Sequence, residues 1–121
     1  MTKDNPLIRL QSVEREYDGG AIVALKGIDL VVAAGECLGI VGPSGSGKSS
    51  LLNMLCGIDM PTRGEIYWND LPVRSRREWT ALRGSEIGIV FQDFNLLPTL
   101  TAVENVEIAL IGRGIPVSAR R

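Results

Sequence analysis

"ECLGIVGPSGSGKSSLLNMLCG", residues 36–57, decides the fold. Its opening, 36–41, is a short and nearly continuous apolar run, the composition of a strand buried on both faces of a parallel sheet. The stretch GPSGSGKS at 42–49 then matches the phosphate-loop pattern GxxxxGKS without a mismatch. Glycine lets the backbone turn through positive φ, so that N–H groups of Gly42, Ser44, Gly45, Ser46 and Gly47 can converge on an anion. A following helix adds the positive end of its dipole. Lys48 is placed to reach β- and γ-phosphates and the Ser49 hydroxyl to ligate Mg2+. A helix over about Lys48 to Leu55 closes at Gly57, the residue type best suited to a left-handed C-cap. Strand, loop and helix thus arrive in the order a nucleoside triphosphate site requires; a Ser/Gly turn that only joins a strand to a helix is the plainer alternative.

Working outward, LIRLQSV (7–13) alternates apolar with polar residues and IDLVV (28–32) is apolar and β-branched, with the turn-rich EYDGG between them. GEIYW (64–68) reads as another strand. Ser75 and Glu78 stand in capping-box spacing before a helix at about 76–83. EIGIVFQ (86–92) reads as a strand, and Thr101 with Glu104 opens a second capped helix. The class is α/β: a P-loop core with an antiparallel β part at the N-terminus, incomplete at the C-terminus. Ser118, in the closing PVSARR, has the place of a helix cap whose helix does not follow.

Composition narrows the function. The chain has 121 residues, 45% hydrophobic, enough for one core. Its 13 basic and 14 acidic residues give a formal net charge of -1, which does not point to a nucleic-acid partner. The basic stretch with Arg74, Arg76, Arg77 and Arg83 reads as a solvated helix face. No apolar run approaches the ~20 residues of a membrane helix, and MTKDNPL lacks a signal-peptide apolar region, so a cytosolic location is expected. Cys37 and Cys56 sit in apolar runs without metal spacing and read as small buried hydrophobes in a reducing compartment. There is no histidine, which excludes His-based nucleophilic triads and His-ligated metals. No Asp begins a DxxG and no Lys follows an Asn, so a GTPase of the translational type is disfavoured. A small-molecule P-loop kinase remains open, although some 35 residues of strand-like sequence precede the loop strand.

With these residues in view, the chain resembles the ATP-binding subunit of ABC transporters, over essentially its whole length. In that family an aromatic residue upstream of the loop stacks on adenine, and Tyr17 in EREYDGG occupies the matching place; a tyrosine anchoring a hairpin turn is the bland reading. The run from Ala24 to Ile66 looks like the family's core stretch, with Ser50 where the family more often has Thr. IGIVFQDFNLLPTLTAVENV (87–106) looks like the Q-loop, in which Gln92 would approach Mg2+ and the attacking water and relay the nucleotide state. A Walker B reading with Asp93 as the metal carboxylate is weaker, because Gln92 interrupts the apolar run and no Glu follows. Leu96, Leu97 and Pro98 put apolar bulk on a loop, either as a docking surface for a partner helix or as local packing. Within the family, NLLPTLTAVENVEIAL is most similar to subunits of the lipoprotein-release and macrolide-export type.

The resemblance implies one nucleotide-binding domain, of which residues 1–121 would be the N-terminal portion. Its antiparallel part would cover about 7–35 and 64–72, its phosphate-loop core about 36–57, its Q-loop strand 86–92 and the start of a helical subdomain about 93–121. It also implies ATP and Mg2+ as cofactors and transmembrane permease subunits docking near the Q-loop. A homodimer or pseudo-dimer of nucleotide-binding domains on the inner face of the membrane would be the working unit. The signature that closes on ATP, the Walker B carboxylate, the catalytic Glu and the switch His are absent from the sequence. Two readings follow: the N-terminal part of an ABC ATPase, or a stand-alone nucleotide-binding module with little hydrolysis.

Overall fold

The computed structural model describes residues 6–120. The chain divides into two compact units, 1–89 and 90–121, a division that falls inside the segment expected as the strand 86–92. In the first unit, Pro6–Tyr17 (β1) and Ile22–Ala33 (β2) form a long antiparallel hairpin turned by a 3-10 segment at Asp18–Gly20. Arg63–Trp68 (β3) pairs antiparallel with the other edge of β1, and the two-residue Leu71–Pro72 (β4) pairs with β3, giving the order β2-β1-β3-β4.

One face of this sheet makes the core. Ile8 and Leu10 of β1 point inward two residues apart, but the next inward residue is Val13, three further on. A bulge accounts for the odd step: the pairing of β1 shifts between Leu10 and Val13, and Ser12 takes φ +50. With strict alternation Val13 would face solvent. The Ser12 N–H donates to Asp29 Oδ1 at 2.8 Å, which fixes the bulge to β2.

Against the inward face pack two helices, Lys48–Cys56 (α1) and Arg76–Ser85 (α2), through Met54 and Trp79, both fully buried. At that scale of burial each side chain contributes roughly 1.5–3 kcal/mol or more. α1 ends at Gly57, φ +72, where an added Cβ would lie 2.2 Å from the Trp79 ring. Arg83 of α2 donates to the carbonyls of Gly57 at 2.6 Å and Cys56 at 3.3 Å, satisfying acceptors that a helix end leaves open. At the start of α2 the Ser75 hydroxyl accepts from Glu78 N at 3.1 Å.

Two expected strands are absent from the ladders. Residues 36–41 and 86–92 belong to neither helix nor strand among the described residues. A parallel strand exists by pairing with its neighbours, and no described segment pairs with either stretch. The period of two survives locally: Leu38 and Ile40 line an apolar groove of about 330 Å3 with Ile8, Val32, Leu52, Leu55, Trp68 and Ile87. Cys37 lies on this unpaired stretch and is exposed, and Cys56 is half-buried, so the expectation of two buried thiols fails. Both thiols are free; that of Cys56 donates to Leu52 O at 3.1 Å.

In the second unit, Ala102–Glu107 (α3) begins with a complete capping box: Glu104 N donates to Thr101 Oγ1 at 3.2 Å, and Thr101 N to Glu104 Oε2 at 2.7 Å. The Asn105 amide donates to the carbonyls of Leu97, Leu100 and Thr101 and accepts from Leu97 N, tying the preceding loop to the helix. Ser118 caps nothing. It lies inside the 3-10 turn Val117–Ala119, whose N-cap is Pro116, so its hydroxyl comes too late to serve the first N–H groups. Among the described residues no helix is long and apolar enough to cross a membrane.

Candidate nucleotide site

The glycine loop is built against β2. Gly47, the N-cap of α1, has φ +94, and an added Cβ would stand 2.7 Å from the Ala24 carbonyl oxygen. Only glycine satisfies both the left-handed backbone and that approach. The Gly47 carbonyl accepts the first helical bond, from Leu51 N at 2.9 Å, and Ser46 N donates to Pro43 O at 3.2 Å to close the turn before it. Gly42 sits under this turn, where a Cβ would meet Ser46 Oγ at 2.8 Å.

Ser44, Gly45, Gly47, Lys48, Ser49 and Ser50 line a cavity of about 420 Å3 together with Ile22, Val23 and Ala24 of β2. That volume lies within the range of small-ligand sites, roughly 300–1,000 Å3. Its polar lining consists of backbone groups, hydroxyls and one ammonium, with no carboxylate, at the positive end of α1. Such a donor set suits an anion. The Lys48 ammonium is folded back onto its own loop, donating to Pro43 O at 2.8 Å and to Gly42 O. Among the described residues no group of three or more Asp, Glu or Cys side chains could hold a metal ion.

The sequence-derived residues are placed unevenly. Six line the cavity; Gly42 and Ser46 belong to the same turn but not to its lining. Tyr17 is outside the lining too, though its ladder partner on β2 is Ile22, which is in it. Gln92 lies near the start of the second unit as an exposed residue on a segment without regular structure. Sequence reasoning missed the wall made by Ile22, Val23 and Ala24; the pair of apolar residues just after the DGG turn, Ile22 and Val23, was the available signal, and both remain exposed.

It also missed a junction at the far end of α1. Asp59 Oδ2 accepts from Arg15 Nε and from the Tyr17 hydroxyl, each at 2.8 Å, and the Arg15 guanidinium carbon lies 4.4 Å from the centre of the Tyr17 ring. Burial pushes the Asp59 carboxyl up, but the bonds from Tyr17 and Met60 N together with the Arg15 charge outweigh it and hold the group below the usual carboxylate range.

Residues 25–121 match the model of the ABC transporter family. The chain belongs to that family. It is 47% identical over 119 residues to the lipoprotein-releasing system ATP-binding protein LolD of Nitratidesulfovibrio vulgaris, covering 95% of this chain and 51% of that protein. Over 119 residues it is 46% identical to the macrolide export ATP-binding/permease protein MacB of Marinobacter nauticus, covering 95% of this chain and 18% of that protein. The dimeric structure of the ABC transporter cassette MJ0796, from Methanocaldococcus jannaschii, superposes with a TM-score of 0.84 at 42% identity, over 93% of this chain and 52% of that one. A second structure of that cassette is a dimeric post-hydrolysis state bound to ADP and Pi. The chain therefore has the fold of an ABC ATPase cassette and corresponds to its N-terminal part, spanning about half the length of LolD and of the MJ0796 cassette.

Proposed function

We propose that this chain is the nucleotide-holding part of an ABC transporter ATPase, which couples Mg-ATP binding and hydrolysis to transport across a membrane. The observation that carries the reading is the carboxylate-free cavity at the N-terminus of α1, where Gly47 seats the loop on β2 and Lys48 and Ser49 converge. The backbone N–H groups of the loop would bind the phosphates, and Lys48 would exchange the Gly42 and Pro43 carbonyls for β- and γ-phosphate oxygens. Ser49 would hold the magnesium ion, and Gln92 would approach it and the attacking water once ATP is bound. Bound magnesium supplies charge neutralisation at the phosphate oxygens. Tyr17 would stack on adenine.

Positioning and electrostatic stabilisation carry phosphoryl transfer, and this chain has no histidine and no apolar run closing in Asp-Glu. Alone it would hold ATP more than turn it over. The working unit would be a dimer of such domains on permease subunits, at the cytoplasmic face of a membrane, with Phe94, Leu96 and Leu97, all exposed, forming part of the permease contact.

The test is equilibrium titration of the natural protein with Mg-ATP, together with its intact mass. Lys48→Ala should weaken binding by roughly 10- to 150-fold, the loss expected for hydrogen bonds to a charged group. Absence of Mg-ATP binding by the natural protein, or indifference to Lys48→Ala, would overturn the reading. A natural mass of 13.1 kDa would limit the protein to nucleotide binding, whereas about twice that would fit a complete cassette.

A further inference from the structure

Arg15 and Tyr17 stand two apart near the end of β1, and Asp59 lies just beyond α1, so two side chains of one strand meet at a carboxylate from the segment after the helix. That carboxylate is itself fixed: Oδ1 accepts from Met60 N at 2.8 Å, and Asp59 N donates to Asn53 O of α1 at 3.3 Å. The ring of Tyr17 is therefore restrained twice. Its hydroxyl is tied to Asp59 at 2.8 Å, and one of its faces carries the Arg15 guanidinium at 4.4 Å. Turning the ring would give up the charge-assisted hydrogen bond, the cation–π contact, or both.

We propose that Asp59 and Arg15 are positioning residues for nucleotide binding: they lock Tyr17 as a single-faced platform, so that a purine base stacks on the face opposite Arg15. The proposal rests on the reading of Tyr17 as the base-stacking side chain. It accounts for why the tyrosine carries a bonded hydroxyl where stacking alone would need only a ring. It also ties the platform to the phosphate loop, because Asp59 follows the helix that the loop begins, and Tyr17 is paired with Ile22, which lines the loop cavity.

The test compares the affinity of the natural protein for Mg-ATP with its affinity for magnesium triphosphate, which has no base. Tyr17→Phe and Asp59→Ala should each weaken Mg-ATP by about three- to tenfold and change magnesium triphosphate by less than about twofold. The double variant should lose no more than the larger single loss, since both remove one contact. If Tyr17→Ala weakens Mg-ATP while Tyr17→Phe does not, the platform stands and the positioning role falls. If Tyr17→Ala also has no effect, the reading of Tyr17 itself fails. Equal losses for both ligands would mark a merely structural junction and overturn the proposal. Should Asp59→Ala not fold, Tyr17→Phe decides, because it removes one oxygen only.

Discussion

Replacing Gly47 by alanine separates the two physical demands on the phosphate loop, a left-handed backbone and contact with β2. At φ +94 an L-residue meets a conformational penalty of roughly 1–2 kcal/mol. The same penalty applies to Gly45→Ala, since Gly45 has φ +79, but a Cβ there would have no neighbour within 4 Å. At Gly47 the Cβ would sit 2.7 Å from the Ala24 carbonyl oxygen, a backbone atom within a paired strand that cannot turn aside as a side chain can. Forcing the two apart is an overpacking problem worth about 1–3 kcal/mol. Gly47→Ala should therefore lose about 2–5 kcal/mol and Gly45→Ala about 1–2 kcal/mol, against a typical total of 5–15 kcal/mol. Urea unfolding without nucleotide, followed by tryptophan fluorescence, reads both. Mg-ATP titration of whichever variant stays folded then reports whether a loop lifted from Ala24 still binds. Equal destabilisation by the two variants would refute the argument that β2 seats the loop.

Gly57→Ala should destabilise the protein by about 2–5 kcal/mol in the same unfolding assay, because it combines φ +72 with a Cβ 2.2 Å from the fully buried Trp79. The Tyr17 and Met60 hydrogen bonds and the Arg15 charge hold the Asp59 carboxyl below its ordinary value of 3.8, so its contribution is complete above that pH and is lost as pH falls through the lower folded value. Unfolding midpoints measured from neutral pH down past that window should therefore converge between wild type and Asp59→Asn as the medium becomes acidic. Thr101→Ala removes the acceptor of Glu104 N and should cost α3 about 1 kcal/mol, seen as roughly fivefold faster amide exchange at Glu104.

What was legible in the sequence was whatever local backbone chemistry dictates. The glycines at 42, 45 and 47, the cap at Ser75 and the capping box at Thr101 each depend on neighbours within a few residues, so spacing alone carries them. The order of loop and helix pointed to a triphosphate site, and the resemblance of the 24–66 and 87–106 stretches pointed to the ABC family, with which the family match and the MJ0796 structure agree. Features that depend on distant partners were not legible. The bulge at Ser12 needs Asp29 from β2, the Gly57 contact needs Trp79, and Arg15 finds Asp59 across 44 residues of sequence. Cys37 was misread for a related reason: an apolar run shows what a strand would bury, but only a paired neighbour buries it. The loop's seat on β2 was hidden as well, since Ala24 contributes through its carbonyl and no side-chain pattern announces that.

The hairpin and α1 together explain why so small a unit can present a formed site. The nine residues of α1 span about 13 Å, with Gly47 resting on Ala24 of β2 at one end and Asp59 bound to Arg15 and Tyr17 of β1 just past the other. Both strands belong to one ladder, so the helix is held at its two ends by a single hairpin. In the proposed function the phosphates would meet the first end and the base the tyrosine held by the second. In that reading Lys48 must release the Gly42 and Pro43 carbonyls before it can reach a phosphate. A site fixed in advance wastes little binding energy on ordering itself.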